Sequence, residues 1–146
     1  MDPPTLTIGS ETQGMSIIVS RRSHAGSTDY WDGNWLSVTV TVAVGRFKAS
    51  IQGDARAEEF AAFHGQLVPL RESLKGVANL HTLEDWYEIN LSGDGKGHIA
   101  CNGFVMDQPG IGNRLTFNFE IDQTYLNEML DSLDLIQQKF PIIGHR

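Results

Sequence analysis

The side chains able to do chemistry are present but scattered. Five histidines, His24, His64, His81, His98 and His145, include no pair at metal-ligand spacing. His98 and Cys101 lie three apart, which on a strand sets them on opposite faces. No metal site is expected. Cys101 sits inside an extended run between Ala100 and Asn102, with no helix N-terminus to lower its pKa, and reads as an inert core thiol. There is no Gly-x-Ser-x-Gly elbow for nucleophilic catalysis. Among the carboxylates, Asp29, Asp32, Glu84, Asp85, Glu88 and Glu120 offer material for an acid–base pair, as does Asp122. Local roles explain two of them: Asp32 lies in an Asp-Gly-Asn turn and Asp122 stands where a helix cap belongs. Gly93-Asp94-Gly95-Lys96-Gly97 has a glycine-rich look, but a phosphate loop must open a helix and here a strand follows. It also lacks the alternating acidic ligands of a calcium loop, so a hairpin turn is expected. The chain reads as a binding protein and not an enzyme, with no cofactor.

Two segments are candidates for binding. The first is Asp29-Tyr30-Trp31-Asp32-Gly33-Asn34-Trp35, in which two tryptophans flank a turn that tolerates left-handed backbone angles. In one reading the indoles close an end of the core while the aspartates bond nearby backbone. In the other, Asp29, Trp31, Asp32 and Trp35 form a rim that grips a ligand or partner, since tryptophan is a frequent interface anchor. The second candidate is Glu128, Asp131 and Asp134, which recur every three residues on one face of a helix. Such a stripe is either a solvated face or a docking surface for a basic protein.

The elements that must position these residues follow from periodicity. Leu6 to Gly9 and Met15 to Arg21 read as short strands, followed by a polar loop from Arg22 to Thr28. From Trp35 to Val44, Leu36, Val38, Val40, Val42 and Val44 alternate with small polar residues, which puts the valines on one face of a strand. A turn at Gly45-Arg46 leads into a partner strand through Phe47, Ala49 and Ile51. A helix capped by Asp54 carries the apolar stripe Phe60, Phe63, Leu67, Leu70 and Leu74, and Pro69 should kink or end it. Val77 to Leu80, Glu84 to Ser92, His98 to Met106 and Arg114 to Ile121 read as further strands. A second helix runs from about Gln123 to Phe140 with the stripe Leu126, Met129, Leu130, Leu133 and Ile136, stopped by Pro141. The expectation is an α+β fold with a mostly antiparallel sheet and two helices packed on one face. Residues 1–146 form a single domain, with about 1–28 supplying N-terminal strands and a loop. No internal repeat is visible.

Composition narrows the class. The net charge is -7, and it is unevenly spread: the stretch from Glu84 to Asp134 holds ten acidic residues against two basic, and the rest eight against nine. An acidic surface repels phosphate, so direct nucleic-acid binding is not expected, whereas a basic protein partner would be attracted. One cysteine allows no intrachain disulfide, which fits a reducing compartment. Met1-Asp2-Pro3-Pro4 has neither a basic region nor an apolar run, and no stretch approaches the roughly 18 apolar residues of a membrane span. A cytoplasmic protein without a membrane contact is expected.

Asp29 to Leu36 followed by alternating valines resembles the opening of the WapI-family immunity proteins. In the same order come a helix with acidic residues near its start and Leu67 later, Leu83-Glu84, Gly97-His98-Ile99 and Leu115 to Phe119. The likeness ends with Ile121-Asp122-Gln123-Thr124-Tyr125-Leu126 and Phe140-Pro141. The resemblance implies a bacterial, cytoplasmic protein that neutralises a toxin, in the named case one with a transfer-RNA-cleaving domain. The chemistry it implies is stoichiometric binding to a basic nuclease surface. A small-ligand site at the tryptophans, or a regulatory protein-interaction domain, is the alternative left by the residues themselves.

Overall fold

Eight strands and three helices build the fold, which a computed structural model describes over residues 2–146. Strands β1 (Thr5–Gly9), β2 (Gln13–Arg22), β3 (Trp35–Val44) and β4 (Phe47–Arg56) form one antiparallel sheet in chain order, with a short helix α1 (Tyr30–Gly33) before β3. Helix α2 (Ala57–Ser73) leads to a second antiparallel sheet, again in chain order, of β5 (Lys75–His81), β6 (Tyr87–Asp94), β7 (His98–Met106) and β8 (Arg114–Asp122). Helix α3 (Tyr125–Lys139) closes the order. The α+β class and antiparallel pairing are those expected. The strands divide into two sheets, however, and the plan of four strands followed by a helix occurs twice, a repetition of topology that leaves no trace in the residues.

Period-two alternation sets the faces. Leu36, Val38, Val40 and Val42 are buried while Ser37, Thr39 and Thr41 point outward. In the second sheet Ile89, Leu91, Ile99, Cys101, Phe117 and Phe119 point inward in the same way. The inner faces of both sheets and the stripes of α2 and α3 merge into one apolar core, with α2 packed on β5 and α3 and with α3 also against β1. Trp86 joins the sheets. Its indole lies on Gly53 of β4, where an added Cβ would come within 2.6 Å of the ring. Only glycine leaves room there. No helix is long and apolar enough to cross a membrane among the described residues.

Several boundaries differ from expectation. Asp29 to Asn34 is a helical turn before β3, because the Asp29 carboxylate accepts the Asp32 N–H at 3.1 Å and caps it. Gly33 and Asn34 therefore need no left-handed angles. Asp54 lies within β4, and α2 starts after Arg56, whose N–H donates to Glu59 Oε1 at 2.8 Å. Pro69 does not end α2, which continues to Ser73. The bond it forgoes would reach Gly65, and both residues sit on the exposed side while Phe63, Leu67 and Leu70 are anchored in the core. Strand β6 begins at Tyr87, since Thr82 to Trp86 is a turn with Asp85 at φ 60°. The Gly93–Gly97 segment is the expected hairpin turn, in which Asp94 Oδ1 accepts the N–H groups of Lys96 and His98. Those bonds, the Lys96 one foremost, hold the Asp94 carboxyl below its usual range.

Candidate functional site

The tryptophan segment is organised by a residue that sequence reasoning passed over. Register around the Gly45-Arg46 turn pairs Trp35 with Arg56 at the far end of the β3–β4 hairpin. Arg56 is 2% exposed. Its Nε lies 3.0 Å from both oxygens of Glu58, Nη1 donates to the Trp31 carbonyl at 2.7 Å, and Nη2 donates to the Tyr30 carbonyl at 2.9 Å. The same guanidinium stands 5.3, 5.1 and 4.8 Å from the ring centres of Tyr30, Trp31 and Trp35. A buried arginine thus holds α1 and both tryptophans in place. Counting back from the predicted turn would have set it opposite Trp35; its bonds to carbonyls of α1 have no sequence signal.

The chain's end straps the other side of this segment. Buried Asn34 donates from Nδ2 to the carbonyls of Tyr30 (2.8 Å) and Ile143 (2.9 Å) and accepts the Ile143 N–H on Oδ1 (3.0 Å). Arg22 donates to the carbonyls of Gly33 and Pro141. Gly144, at φ 71°, passes so close that a Cβ would fall 2.5 Å from the Tyr30 nitrogen.

Beside α1 a cleft of about 430 Å³ opens between Tyr30, Trp31, Glu58, Gln66, Leu83 and Arg146. Trp31 and Leu83, 53% and 60% exposed, give it an apolar rim. Trp35 is half-buried and does not reach the cleft; Asp29 and Asp32 are exposed, and the Asp29 carboxylate is tied to the α1 backbone at the Asp32 N–H. Of the four rim residues expected, the structure therefore brings Trp31 alone to a cavity. Glu59 forms the inner wall, its second oxygen accepting the Leu83 N–H at 2.8 Å. Burial pushes the Glu59 carboxyl up to about 7 against the opposing pull of the Arg56 and Leu83 N–H groups. The Glu58 carboxylate raises the Tyr30 phenol, and burial raises the Tyr87 phenol far more. The cleft can grip an apolar or aromatic group. Nothing in it pairs a nucleophile with a base.

The acidic stripe lies on the outer side of α3. Glu128, Asp131 and Asp134 are all exposed, but Asp134 Oδ1 meets His64 Nε2 of α2 at 2.9 Å. Glu128 and Asp131 make no ion pair among the described residues. His64 is half-buried and bridges the helices. Cys101 is buried, its thiol pushed up to about 12 by that burial, and His98 points to the opposite face. Trp86 packs between the sheets and Tyr87 is wholly buried in the core.

Fold and surface define a small α+β protein whose conspicuous features are an acidic helix and an aromatic cleft. The model of the Immunity protein WapI-like family matches residues 5–141, and the chain belongs to that family. Membership supports the role of an immunity protein, which in this family implies an inhibitor directed at a protein partner. No curated protein matches it in sequence. Among solved structures, the plant transcriptional regulator PBF-2 is similar at 9% identity and TM-score 0.54, covering 93% of this chain and 81% of that one, which shows a shared fold. MRP1/MRP2 of Trypanosoma bruciei align at 10% identity and TM-score 0.49 over 94% of this chain and 85% of that one.

Proposed function

We propose that this protein neutralises a cognate bacterial toxin in the cytoplasm by stoichiometric binding, and that the toxin carries a basic, transfer-RNA-cleaving nuclease domain. A nuclease must present positive charge to a polyanionic substrate, and an acidic inhibitor can occupy that surface in the substrate's place. The observation that carries the reading is the exposed acidic face of α3, where Glu128 and Asp131 point to solvent beside Asp134 in a chain of the immunity family. Charge of this kind speeds encounter and selects the partner; short-range contacts then set the lifetime of the complex. Co-expression with the toxin domain encoded beside the gene tests it: cells survive with this chain and die without it, and the two proteins co-elute in equimolar amounts. Death in both cases would refute it.

A second reading has its own support. Trp31 and Leu83 both stand exposed at one cleft, as a small-ligand site would need. Quenching of Trp31 fluorescence by an aromatic or apolar small molecule, lost in Trp31→Ala, would favour it; no ligand in a broad screen would count against it.

A further inference from the structure

The outer face of the second sheet has a composition its fold does not require. Asn79 of β5 stands opposite Asn90 of β6, Asn90 opposite Asn102 of β7, and Asn102 opposite Asn118 of β8. Four of the chain's seven asparagines thus form one row across every strand of the sheet. At the usual strand spacing the row is roughly 14 Å long. Asparagine is depleted in strands, and β-branched residues serve a solvated strand face better. The first sheet uses short hydroxyl side chains instead, with Thr7, Ser16, Thr41 and Ser50 in a comparable row.

The row is not explained as a self-satisfied amide ladder. Asn90 Nδ2 donates to Asn102 Oδ1 at 3.3 Å and to Glu88 Oε2 at 3.1 Å. Among the described residues the side-chain amides of Asn79 and Asn118 make no hydrogen bond within the chain, and Asn79, Asn102 and Asn118 are exposed. The adjacent row runs His81, Glu88, Phe104, Thr116. There a hollow of about 610 Å³ lies between Glu88, Phe104, Met106 and Arg114, with the Arg114 guanidinium 3.8 Å from the Phe104 ring centre. Carboxylates edge the face: Glu88 beside the hollow, and exposed Asp94, Glu120 and Asp122 on the far side of the row; Lys75 opposite Asp94 and Arg114 at the hollow offset part of this charge and leave the face net acidic.

We propose that this face is a docking surface for a basic protein. Each carboxamide offers both donors and an acceptor to main-chain and polar groups of the partner, and Glu88, Asp94, Glu120 and Asp122 meet its lysines and arginines. Charge complementarity selects that occupant, because the same carboxylates repel phosphate. Only Gln123 and Thr124 separate β8 from α3, so the acidic edge at Glu120 and Asp122 leads along the chain to Glu128 and Asp131. The partner is the toxin of the proposed function, and the inference rests on that reading.

The test uses the full chain, the toxin domain encoded beside its gene, and the triple variant Asn79→Thr, Asn102→Thr, Asn118→Thr. Asn90 is kept because it also bonds Glu88, and a threonine at 102 still offers a hydroxyl oxygen to the Asn90 amide. The variant should melt at or above the wild-type temperature yet bind the toxin at least tenfold more weakly, chiefly through faster dissociation. A folded triple variant that binds like wild type overturns the docking face, while wild-type binding leaves the immunity reading standing. Failure of the wild-type chain to bind overturns both. Competition by a single-stranded RNA oligonucleotide that is itself lost in the triple variant would make the face a nucleic-acid surface and overturn the proposal as well.

Discussion

Arg56 concentrates more structural work than any other charged side chain. Glu58, two carbonyls of α1 and three aromatic rings surround its guanidinium. Arg56 is buried while Glu58 is 28% exposed, so the cost of Arg56→Ala falls mainly on the two α1 carbonyls and the aromatic packing it loses and should be about 3 kcal/mol in urea unfolding. Arg56→Lys should recover only part, because an ammonium reproduces neither the forked geometry nor the stacking. Asn34→Ala strands the Ile143 N–H and carbonyl, leaves the Tyr30 carbonyl to Arg56 alone, and should cost about 1–3 kcal/mol. It should also raise protease sensitivity after Pro141. An unchanged unfolding midpoint for either alanine variant would show that the segment's order does not depend on these bonds. At this scale the sequence was legible where local chemistry decides, as at Cys101 and the Asp94 turn. Arg56 was not, since its partners on α1 lie far away in the chain.

Helix α2 supplies the sharpest predictions among the elements. Its Glu59 ties the Arg56 backbone to the turn between β5 and β6. The carboxyl has an ordinary value of 4.5 and is raised to about 7 in the fold. Between those two values the folded chain binds more protons than the unfolded one. This group's contribution to stability is therefore fully present below 4.5 and is lost as pH rises through about 7. Glu59→Gln should flatten that part of the stability–pH curve; an identical slope in the variant would contradict the assignment. Pro69 interrupts the ladder of α2 on its exposed side, so Pro69→Ala should stabilise by about 1–3 kcal/mol, read as a higher melting temperature. Element type was largely legible, because the valine alternation of β3 and the apolar stripes of α2 and α3 are strong periodic signals. Boundaries were misjudged where a side chain overrides propensity: the Asp29 cap makes α1 helical, and Glu59 moves the α2 start past Asp54.

The division into two sheets belongs to the whole molecule. It depends on α2 carrying the chain away from β4 and on Trp86 seating against Gly53, contacts between segments with no local mark in the sequence. The asparagine row was illegible for the same reason, since three strand registers must be known at once. The acidic excess of the second half is a matter of count, and its exposed members lie partly on α3 and on the far side of the second sheet. In the proposed function this acidic surface binds a basic toxin in a fixed ratio. Calorimetric titration of the neighbouring toxin domain with the full chain, at rising salt, tests it most directly. The predicted result is equimolar binding that weakens as the screening length shrinks from about 10 Å at 0.1 M to about 3 Å at 1 M, and that Glu128→Lys with Asp131→Lys weakens further. No heat of binding, or an affinity indifferent to salt and to both reversals, would contradict it.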